Sequence, residues 1–405
     1  MEVISVATAG RVRANRRLSW LAAVFASALL LATILTGSAA PTAGAASAPA
    51  SGSCGKATGP FTVHGTRVLG AHGKVFVSYG ITVSGLQNLD WQTSLNEDLQ
   101  EIRATAVDWC ANTVRLQLSQ DNLVGPTGTI NLGYESAIQA EVLEAESNHL
   151  VVVLNDSTEQ TTSAWNAELG PTPATETFWQ ILAKAYGGNP QVIFDLFNEP
   201  RLYSSGMSQA QEWKLWLDGG SFAGASYPFG MAQLAGYVRD TLHAKNLFWI
   251  EGPRYSISFA GMVRFGAVLK VSGVVYAVHH PAAPHAKSGW YADFGYLVAT
   301  GVAPVVDGEW TNYEPAPTTA PTTVPTSCWT DAPTTVPEYL AYLSSMGIGL
   351  NAYDLEPGYL IQSDANLGDP TTINAKTWSC QSDNEPQPGQ SAGALVMAWF
   401  KQHNS

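Results

Sequence analysis

The sequence predicts a single (β/α)8 barrel domain, an α/β fold, from three observations. The chain has 405 residues, a length that suits one large α/β barrel. From residue 75 onward, eight short apolar segments alternate with longer amphipathic ones. Some of these segments, such as Val274–Val278, are continuous apolar runs typical of strands buried on both faces of a parallel sheet. The alternative, an open doubly wound sheet, would favour a glycine-rich phosphate turn after its first strand, and the sequence has none there.

The apolar and amphipathic segments place the individual elements. The predicted strands are Val75–Ile81, Thr113–Leu118, Leu150–Asn155, Val192–Phe197, Leu247–Glu251, Val274–Val278, Pro304–Asp307 and Ile348–Tyr353. We expect a helix after each strand, and the clearest helical patterns are Asn96–Trp109, Tyr134–Asn148, Thr175–Tyr186, Met231–Ala244, Val336–Ser345 and Ala392–His403.

The N-terminal segment has the pattern of an export signal. A basic stretch (Arg11–Arg17) precedes an apolar stretch (Leu18–Leu35) and then small residues, with a cleavage pattern near Ala43 and Ala45. A retained membrane anchor is the alternative, because about 18 apolar residues can just span a bilayer. The Ala- and Pro-rich residues that follow favour cleavage. We therefore expect a secretion signal at 1–45, a flexible segment at 46–59, and an extracellular protein without stable membrane association.

The remaining residues, 60–405, are predicted to form the catalytic domain. Residues 315–337 are rich in Thr and Pro, like an extracellular linker. A predicted strand and the last predicted helix still follow them, so we interpret this segment as a long loop within the barrel.

Composition limits the classes of partner. Charged residues make up 13% of the chain, against roughly 25% in typical globular proteins. The formal net charge is −13, and after the export signal the sequence has no basic run. These features exclude nucleic acid and anionic membrane as partners. The 13 Trp and 15 Tyr residues offer flat apolar faces with polar edges, which suit the rings of an uncharged sugar substrate.

Four cysteines follow the export signal, and an even number in an oxidising compartment predicts two disulfides. None of them has the C-x-x-C spacing of a zinc site or redox pair. Three pairings are possible. We favour the one that is local in sequence, Cys54–Cys110 with Cys328–Cys380.

Two glutamates end predicted strands and form the candidate catalytic pair. Glu199 follows the fourth strand in Phe194–Pro200 (FDLFNEP), and Glu309 ends the seventh in Pro304–Trp310 (PVVDGEW). Catalytic residues of such barrels lie at the C-terminal ends of the strands, so the two carboxyl groups are expected to face each other. Cleavage of a glycosidic bond needs one protonated carboxyl group for the leaving oxygen and one ionised group at the anomeric carbon. In a retaining enzyme they stand about 5–5.5 Å apart.

Around these residues the sequence resembles the cellulase-type glycoside hydrolases of family 5, over roughly residues 60–403. The resemblance implies Glu199 as the proton donor, Asn198 as a ligand of the sugar 2-hydroxyl, and Glu309 as the nucleophile. It also implies roles for two residues on other strands. Arg115, in Asn112–Leu116 (NTVRL), would keep the nucleophile ionised, and His279, in Tyr276–His279 (YAVH), matches a substrate-binding histidine.

Three positions depart from the family's pattern. The histidine that closes the third strand is missing, and Leu154–Ser157 stands there. Pro281 occupies the position of a tyrosine beside the nucleophile, so that contact is lost or supplied elsewhere. Tyr353 stands where a tryptophan normally forms the floor of the sugar site. Tyr353 and Trp310, which directly follows Glu309, are our expected substrate-contacting aromatics.

The resulting hypothesis is a secreted, monomeric, retaining glycosidase that cleaves β-1,4-glucan without a cofactor or metal. Mannan, xylan or β-1,3-glucan are alternative substrates for the same mechanism. A metal-dependent hydrolase is a second hypothesis, because His279, His280 and His285 lie close together and Asp307 or Glu309 could join them. It is disfavoured because no His-x-His closes the first strand. A carbohydrate-binding barrel without activity is the third hypothesis.

Overall fold

The computed structural model describes residues 54–125, 128–158, 169–202, 206–280, 287–311, 332–357, 359–361, 363–370 and 391–404. The predicted export signal, residues 315–331 of the Thr/Pro-rich loop and the predicted pair Cys328–Cys380 lie outside the described residues.

Eight parallel strands close into a barrel, as the sequence predicts. Three short strands precede it: β1 (Thr62–His64), β2 (Arg67–Leu69) and β3 (Val75–Phe76). The barrel strands and one separate hairpin, β8–β9, follow in the order β4 (Tyr79–Val83), β5 (Thr113–Ser119), β6 (Val151–Thr158), β7 (Val192–Asp195), β8 (Gly220–Phe222), β9 (Ala225–Tyr227), β10 (Phe248–Glu251), β11 (Val274–Val278), β12 (Val305–Trp310) and β13 (Gly349–Ala352). Each barrel strand pairs with its neighbour along the chain, and β13 pairs with β4 to close the ring.

The helices of the described residues are α1 (Trp91–Val107), α2 (Gln120–Leu123), α3 (Leu132–Ser147), α4 (Pro173–Tyr186), α5 (Gln209–Asp218), α6 (Met231–Gly236), α7 (Lys287–Trp290), α8 (Tyr296–Ala299), α9 (Ala332–Met346) and α10 (Ala392–His403). Short π-helical segments extend α6 and join α7 to α8. Helix α5 was not expected. It begins at a capping box, in which Ser208 Oγ accepts from the Gln211 N–H and Gln211 Oε1 accepts from the Ser208 N–H.

Two sequence predictions about the barrel are wrong in detail. The segment predicted as one strand, Val75–Ile81, contains parts of two strands. Val75–Phe76 is β3, which pairs antiparallel with β2, and Tyr79–Val83 is β4, the first strand of the barrel. The expected helix after the fifth barrel strand is absent, because the fully described residues 252–273 form turns between β10 and β11.

An apolar layer fills the N-terminal half of the barrel interior. Phe61 from the N-terminal segment belongs to this layer. The inward-facing residues from five strands are Val151, Val153, Ile193, Trp249, Val275, Ala277 and Val306. Val63, Val68 and Phe76 of the three-stranded sheet pack against it from below. Since the N-terminal half of the barrel is closed by side chains, its polar interior positions lie at the C-terminal ends of the strands.

The predicted disulfide between Cys54 and Cys110 is confirmed, with its sulfur atoms 2.05 Å apart. It ties the segment before β1 to the residues that follow α1. Within the described ranges, none of the helices has both the length and the apolar character needed to cross a bilayer.

Candidate active site

Arg115 is the centre of a buried polar cluster at the C-terminal end of the barrel. It lies on β5 with no exposed side-chain surface, and its guanidinium contacts residues from three other strands. Nε donates to Asp195 Oδ2 at 2.9 Å on β7, Nη2 donates to Glu251 Oε1 at 3.1 Å on β10, and Nη1 donates to Glu309 Oε2 at 2.7 Å on β12. Arg115 therefore fixes the relative positions of three carboxylates, and its own pKa is raised because they outweigh the effect of burial.

Glu309 accepts two hydrogen bonds on the same carboxylate oxygen. Besides Arg115 Nη1, Gln117 Nε2 donates to Glu309 Oε2 at 2.8 Å. Gln117 lies two residues after Arg115 on β5, so both side chains point to the same face of the strand. A cation and a neutral donor therefore hold this one oxygen in place, as the positioning of a nucleophile requires.

Glu199 follows β7 in a left-handed backbone conformation, with φ of 45°. Its own N–H donates to Glu251 Oε2 at 2.5 Å, and the preceding Asn198 Oδ1 accepts from Arg115 Nη2 at 2.7 Å. The buried carboxylate of Glu251 and the side chain of Arg115 thus stabilise a backbone turn that would be unfavourable for a glutamate on its own.

The environment of the Glu199 carboxyl group differs from that of Glu309. Burial raises the pKa of Glu199 to about 7, and the negative charge of Glu309 adds to this effect. A hydrogen bond between Glu199 Oε1 and His279 Nδ1, 3.0 Å long, acts in the opposite direction on this pKa. Glu199 can therefore retain a proton near neutral pH, as a general acid requires.

His279 lies between two carboxyl groups at the end of β11. Its Nδ1 contacts Glu199 Oε1, and its Nε2 stands 3.1 Å from Glu251 Oε1. Burial alone would lower the pKa of His279, but the charge of Glu251, with hydrogen bonds to both glutamates, raises it well above the ordinary value. At neutral pH we therefore expect an imidazolium that donates from Nδ1 to Glu199 and forms an ion pair with Glu251.

The two candidate catalytic carboxyl groups face each other. A carboxylate oxygen of Glu199, one of Glu309 and a ring nitrogen of His279 all lie within 4.8 Å of one another. Oxygens this close are nearer to the arrangement of a retaining glycosidase, whose two carboxyl groups are about 5–5.5 Å apart, than to the 6.5–9.5 Å of an inverting one. A group of three such atoms could also surround a cation.

The two predicted aromatic residues have different surroundings. Tyr353 is partly exposed, and its N–H donates at 2.7 Å to the carbonyl of Trp310, the residue after Glu309. Burial raises the pKa of its phenol well above the usual range. Trp310 has no exposed surface and stacks on Tyr339 of α9, with ring centres 6.5 Å apart. The expectation that Trp310 contacts sugar is therefore corrected: it packs between barrel and helix.

Sequence reasoning missed Glu251 and Gln117. Glu251 ends the apolar strand Phe248–Glu251 with its side chain fully buried. It accepts hydrogen bonds from Arg115 and from the Glu199 N–H, and it forms an ion pair with His279. A charged residue that closes an otherwise apolar barrel strand was the available signal. Gln117 supplies an uncharged donor to Glu309 from the strand that also carries Arg115.

A closed eight-stranded barrel with two close carboxyl groups in unlike surroundings at its C-terminal end defines the class of barrel glycoside hydrolases. The sequence model of the family described as cellulase (glycosyl hydrolase family 5) matches residues 69–320. The chain belongs to this family and is a retaining glycosidase that acts on O-glycosyl bonds.

Solved structures of low sequence identity share the fold. The beta-glucanase SdGluc5_26A from Saccharophagus degradans aligns with a TM-score of 0.55 and 19% identity, over 86% of this chain and 93% of that one. The catalytic domain of Thermobifida fusca endoglucanase Cel5A aligns with a TM-score of 0.55 and 18% identity, over 85% and 97%. A thermostable, halotolerant cellulase of the same family from an Icelandic hot spring isolate gives 0.57 and 16%, over 86% and 96%. No curated protein matches the chain by sequence.

Proposed function

We propose that the protein is a secreted, monomeric endoglucanase that cleaves β-1,4-glucan by double displacement, with Glu199 as acid/base and Glu309 as nucleophile. The observation that carries the proposal is the unlike pair of close carboxyl groups. Glu309 accepts from a guanidinium and an amide, whereas burial raises the pKa of Glu199 to about 7.

In the first step, Glu309 attacks the anomeric carbon of the sugar. The bond between this carbon and the leaving oxygen breaks, and Glu199 gives its proton to that oxygen. Because His279 Nδ1 donates to Glu199 Oε1, the acidic proton belongs on Oε2. The product of this step is an ester between the sugar and Glu309, with Glu199 now ionised.

In the second step, the Glu199 carboxylate removes a proton from water while the water oxygen attacks the anomeric carbon. The ester bond breaks and returns the electron pair to Glu309, whose carboxylate is again stabilised by Arg115 and Gln117. Two inversions at the same carbon give net retention of configuration. Asn198 lies beside Glu199 and offers its amide to the sugar 2-hydroxyl.

The choice of β-1,4-glucan is supported by the family description and by what two relatives in fold bind. The Thermobifida fusca endoglucanase Cel5A catalytic domain and the Saccharophagus degradans beta-glucanase are each described in complex with cellotetraose. Tyr353 near Glu309 would supply an aromatic surface for a glucose ring. Secretion is supported by the export pattern of residues 1–45 and by the disulfide Cys54–Cys110.

A side-by-side hydrolysis assay on carboxymethyl-cellulose, mannan, xylan and laminarin tests the substrate. We expect the highest kcat/KM on carboxymethyl-cellulose, and a preference for one of the others would replace β-1,4-glucan by that polymer. Proton NMR of the first product formed from cellotetraose tests the stereochemistry. The β-anomer should appear first, and an initial α-anomer would contradict double displacement.

The metal-dependent alternative rests on the same three groups, Glu199, His279 and Glu309, whose ligand atoms lie within 4.8 Å. Dialysis against a strong chelator separates the two hypotheses. The glycosidase mechanism predicts undiminished turnover, while a loss that is restored by one divalent cation would favour the metal-dependent hydrolase.

A further inference from the structure

Three uncharged side chains form a hydrogen-bonded chain that ends on Glu309. Ser157 Oγ donates to Gln87 Oε1 at 2.8 Å, Gln87 Nε2 donates to Gln117 Oε1 at 3.0 Å, and Gln117 Nε2 donates to Glu309 Oε2 at 2.8 Å. The three residues come from adjacent parts of the barrel: the turn after β4, the strand β5 and the end of β6. Gln117 and Ser157 are buried, and Gln87 is partly exposed.

The direction of every hydrogen bond in this chain is fixed by the carboxylate of Glu309 at one end. An ionised carboxylate only accepts, so Gln117 must present its Nε2 to Glu309. Its Oε1 then needs a donor, which Gln87 Nε2 supplies. The Gln87 oxygen in turn accepts from the Ser157 hydroxyl. A change at one link can therefore alter the orientation of the next amide, even without touching Glu309.

We propose that Gln87, Gln117 and Ser157 act as a relay that orients the nucleophile; the proposal rests on Glu309 being the nucleophile. The relay and Arg115 both donate to Oε2, which holds that oxygen in place and leaves Oε1 to attack the anomeric carbon. Gln117 is a positioning residue of the first step. Gln117 supplies a donor that carries no charge, so the relay orients Glu309 without a second cation that would make its carboxylate less nucleophilic.

Substitutions distinguish a relay from side chains that only stabilise the fold, because a relay predicts slower attack by Glu309 in a barrel that stays intact. Gln117→Met removes the donor to Glu309 at similar volume. Gln87→Glu removes the donor of the second link, keeps an oxygen for Ser157 and adds a negative charge, at a position that contacts Gln117 rather than Glu309. Because the introduced carboxylate can only accept, the Gln117 amide would rotate toward it and turn its oxygen to Glu309. Gln87→Met leaves the amide free to keep its donor on Glu309, and should have the milder effect of the two substitutions at this position.

The assay that isolates this step is inactivation by 2,4-dinitrophenyl 2-deoxy-2-fluoro-β-cellobioside. Its leaving group needs no proton from Glu199, and the fluorosugar stays on the nucleophile, so the inactivation rate reports attack alone. A hydrogen bond to a charged group corresponds to a factor of about 10–100 in rate. We expect Gln117→Met and Gln87→Glu each to slow the limiting inactivation rate by that factor with an unchanged Ki, and Gln87→Met to slow it only several-fold.

The matched control is Gln100→Met, the same substitution on the exposed side of α1, where Gln100 donates to a backbone carbonyl. It should inactivate at the wild-type rate, and thermal unfolding of each variant checks that the barrel is intact. Mass spectrometry of the labelled peptide distinguishes a failure of the proposed function from a failure of the relay alone. A label on any residue other than Glu309 overturns the proposed function. A label on Glu309 with Gln87→Glu and Gln117→Met reacting as fast as wild type overturns the relay alone.

Discussion

Replacement of His279 should move the alkaline limb of the pH–activity profile upward. Glu199 must be protonated to act as acid, and its pKa of about 7 sets the pH above which activity falls. After burial, the hydrogen bond from His279 has the largest influence on this pKa, and it acts downward. His279→Leu removes that bond and the positive charge, so the neutral acid should persist to higher pH.

The size of the shift follows from the geometry. The bond from Nδ1 to Glu199 Oε1 is 3.0 Å long, and both side chains are less than a tenth exposed. A hydrogen bond to a charged group in such surroundings contributes about 1.5–3 kcal/mol, and about 1.4 kcal/mol corresponds to one pH unit. The alkaline limb should therefore move from about 7 to between about 8 and 9.

The assay is kcat/KM on cellotetraose from pH 5 to 10. His279→Asn is the matched control, because its amide can still donate near the position of Nδ1 but carries no charge, and it should shift the limb less than His279→Leu. On 2,4-dinitrophenyl cellobioside, whose leaving group needs no proton, the alkaline limb of kcat/KM should disappear in wild type and variants alike. An alkaline limb that stays near 7 or moves downward in His279→Leu would refute the reasoning.

Three further predictions concern stability. Arg115→Met leaves Asp195, Glu251 and Glu309 without their shared cation, and should lower the free energy of unfolding by about 3–5 kcal/mol in urea titrations; a loss under 1 kcal/mol would contradict the role given to Arg115. Burial raises the pKa of Asp307 to about 7, so between about pH 4 and 7 the unfolded state loses this proton while the folded state keeps it, and stability should fall as pH rises. In Asp307→Asn, the free energy of unfolding should fall less steeply with pH, by about 1.4 kcal/mol per pH unit. Equal slopes in the wild type and the variant would contradict the raised pKa of Asp307. Cys54→Ser removes the disulfide that closes a loop with a sequence separation of 56, so the free energy of unfolding should fall by about 4 kcal/mol in the chain-entropy model. The alkaline limb of the pH–activity profile should not move.

The barrel and the meeting of Glu199 with Glu309 at one end of it could be predicted because they depend on strong local patterns. Glu199 and Glu309 each end an apolar strand, and parallel strands bring their C-terminal ends to one edge. Arg115 was expected from the resemblance of its segment, Asn112–Leu116, to the second strand of the family. The first barrel strand was misplaced because Val75–Ile81 is largely apolar and contains residues of two different strands, which composition alone does not divide.

The error at Trp310 has a simple geometric cause. Neighbouring residues of a strand point to opposite faces, so a strand that directs Glu309 into the barrel must direct the next residue outward, toward Tyr339 of α9. The same alternation could have found Gln117, which shares its face with Arg115. Glu251 was harder to assign, because its role depends on contacts with Glu199, Arg115 and His279 that are distant in sequence.

The measurement that tests the division of labour between the two glutamates most directly is rescue by azide. With an activated aryl cellobioside, Glu199→Ala should still form the ester on Glu309, and azide should then attack from the opposite face to give the β-glycosyl azide. In Glu309→Ala, azide should replace the missing nucleophile and give the α-glycosyl azide. NMR of the two products decides the assignment: opposite anomers are the predicted result, and the same anomer from both variants, or full activity in either without azide, would contradict it.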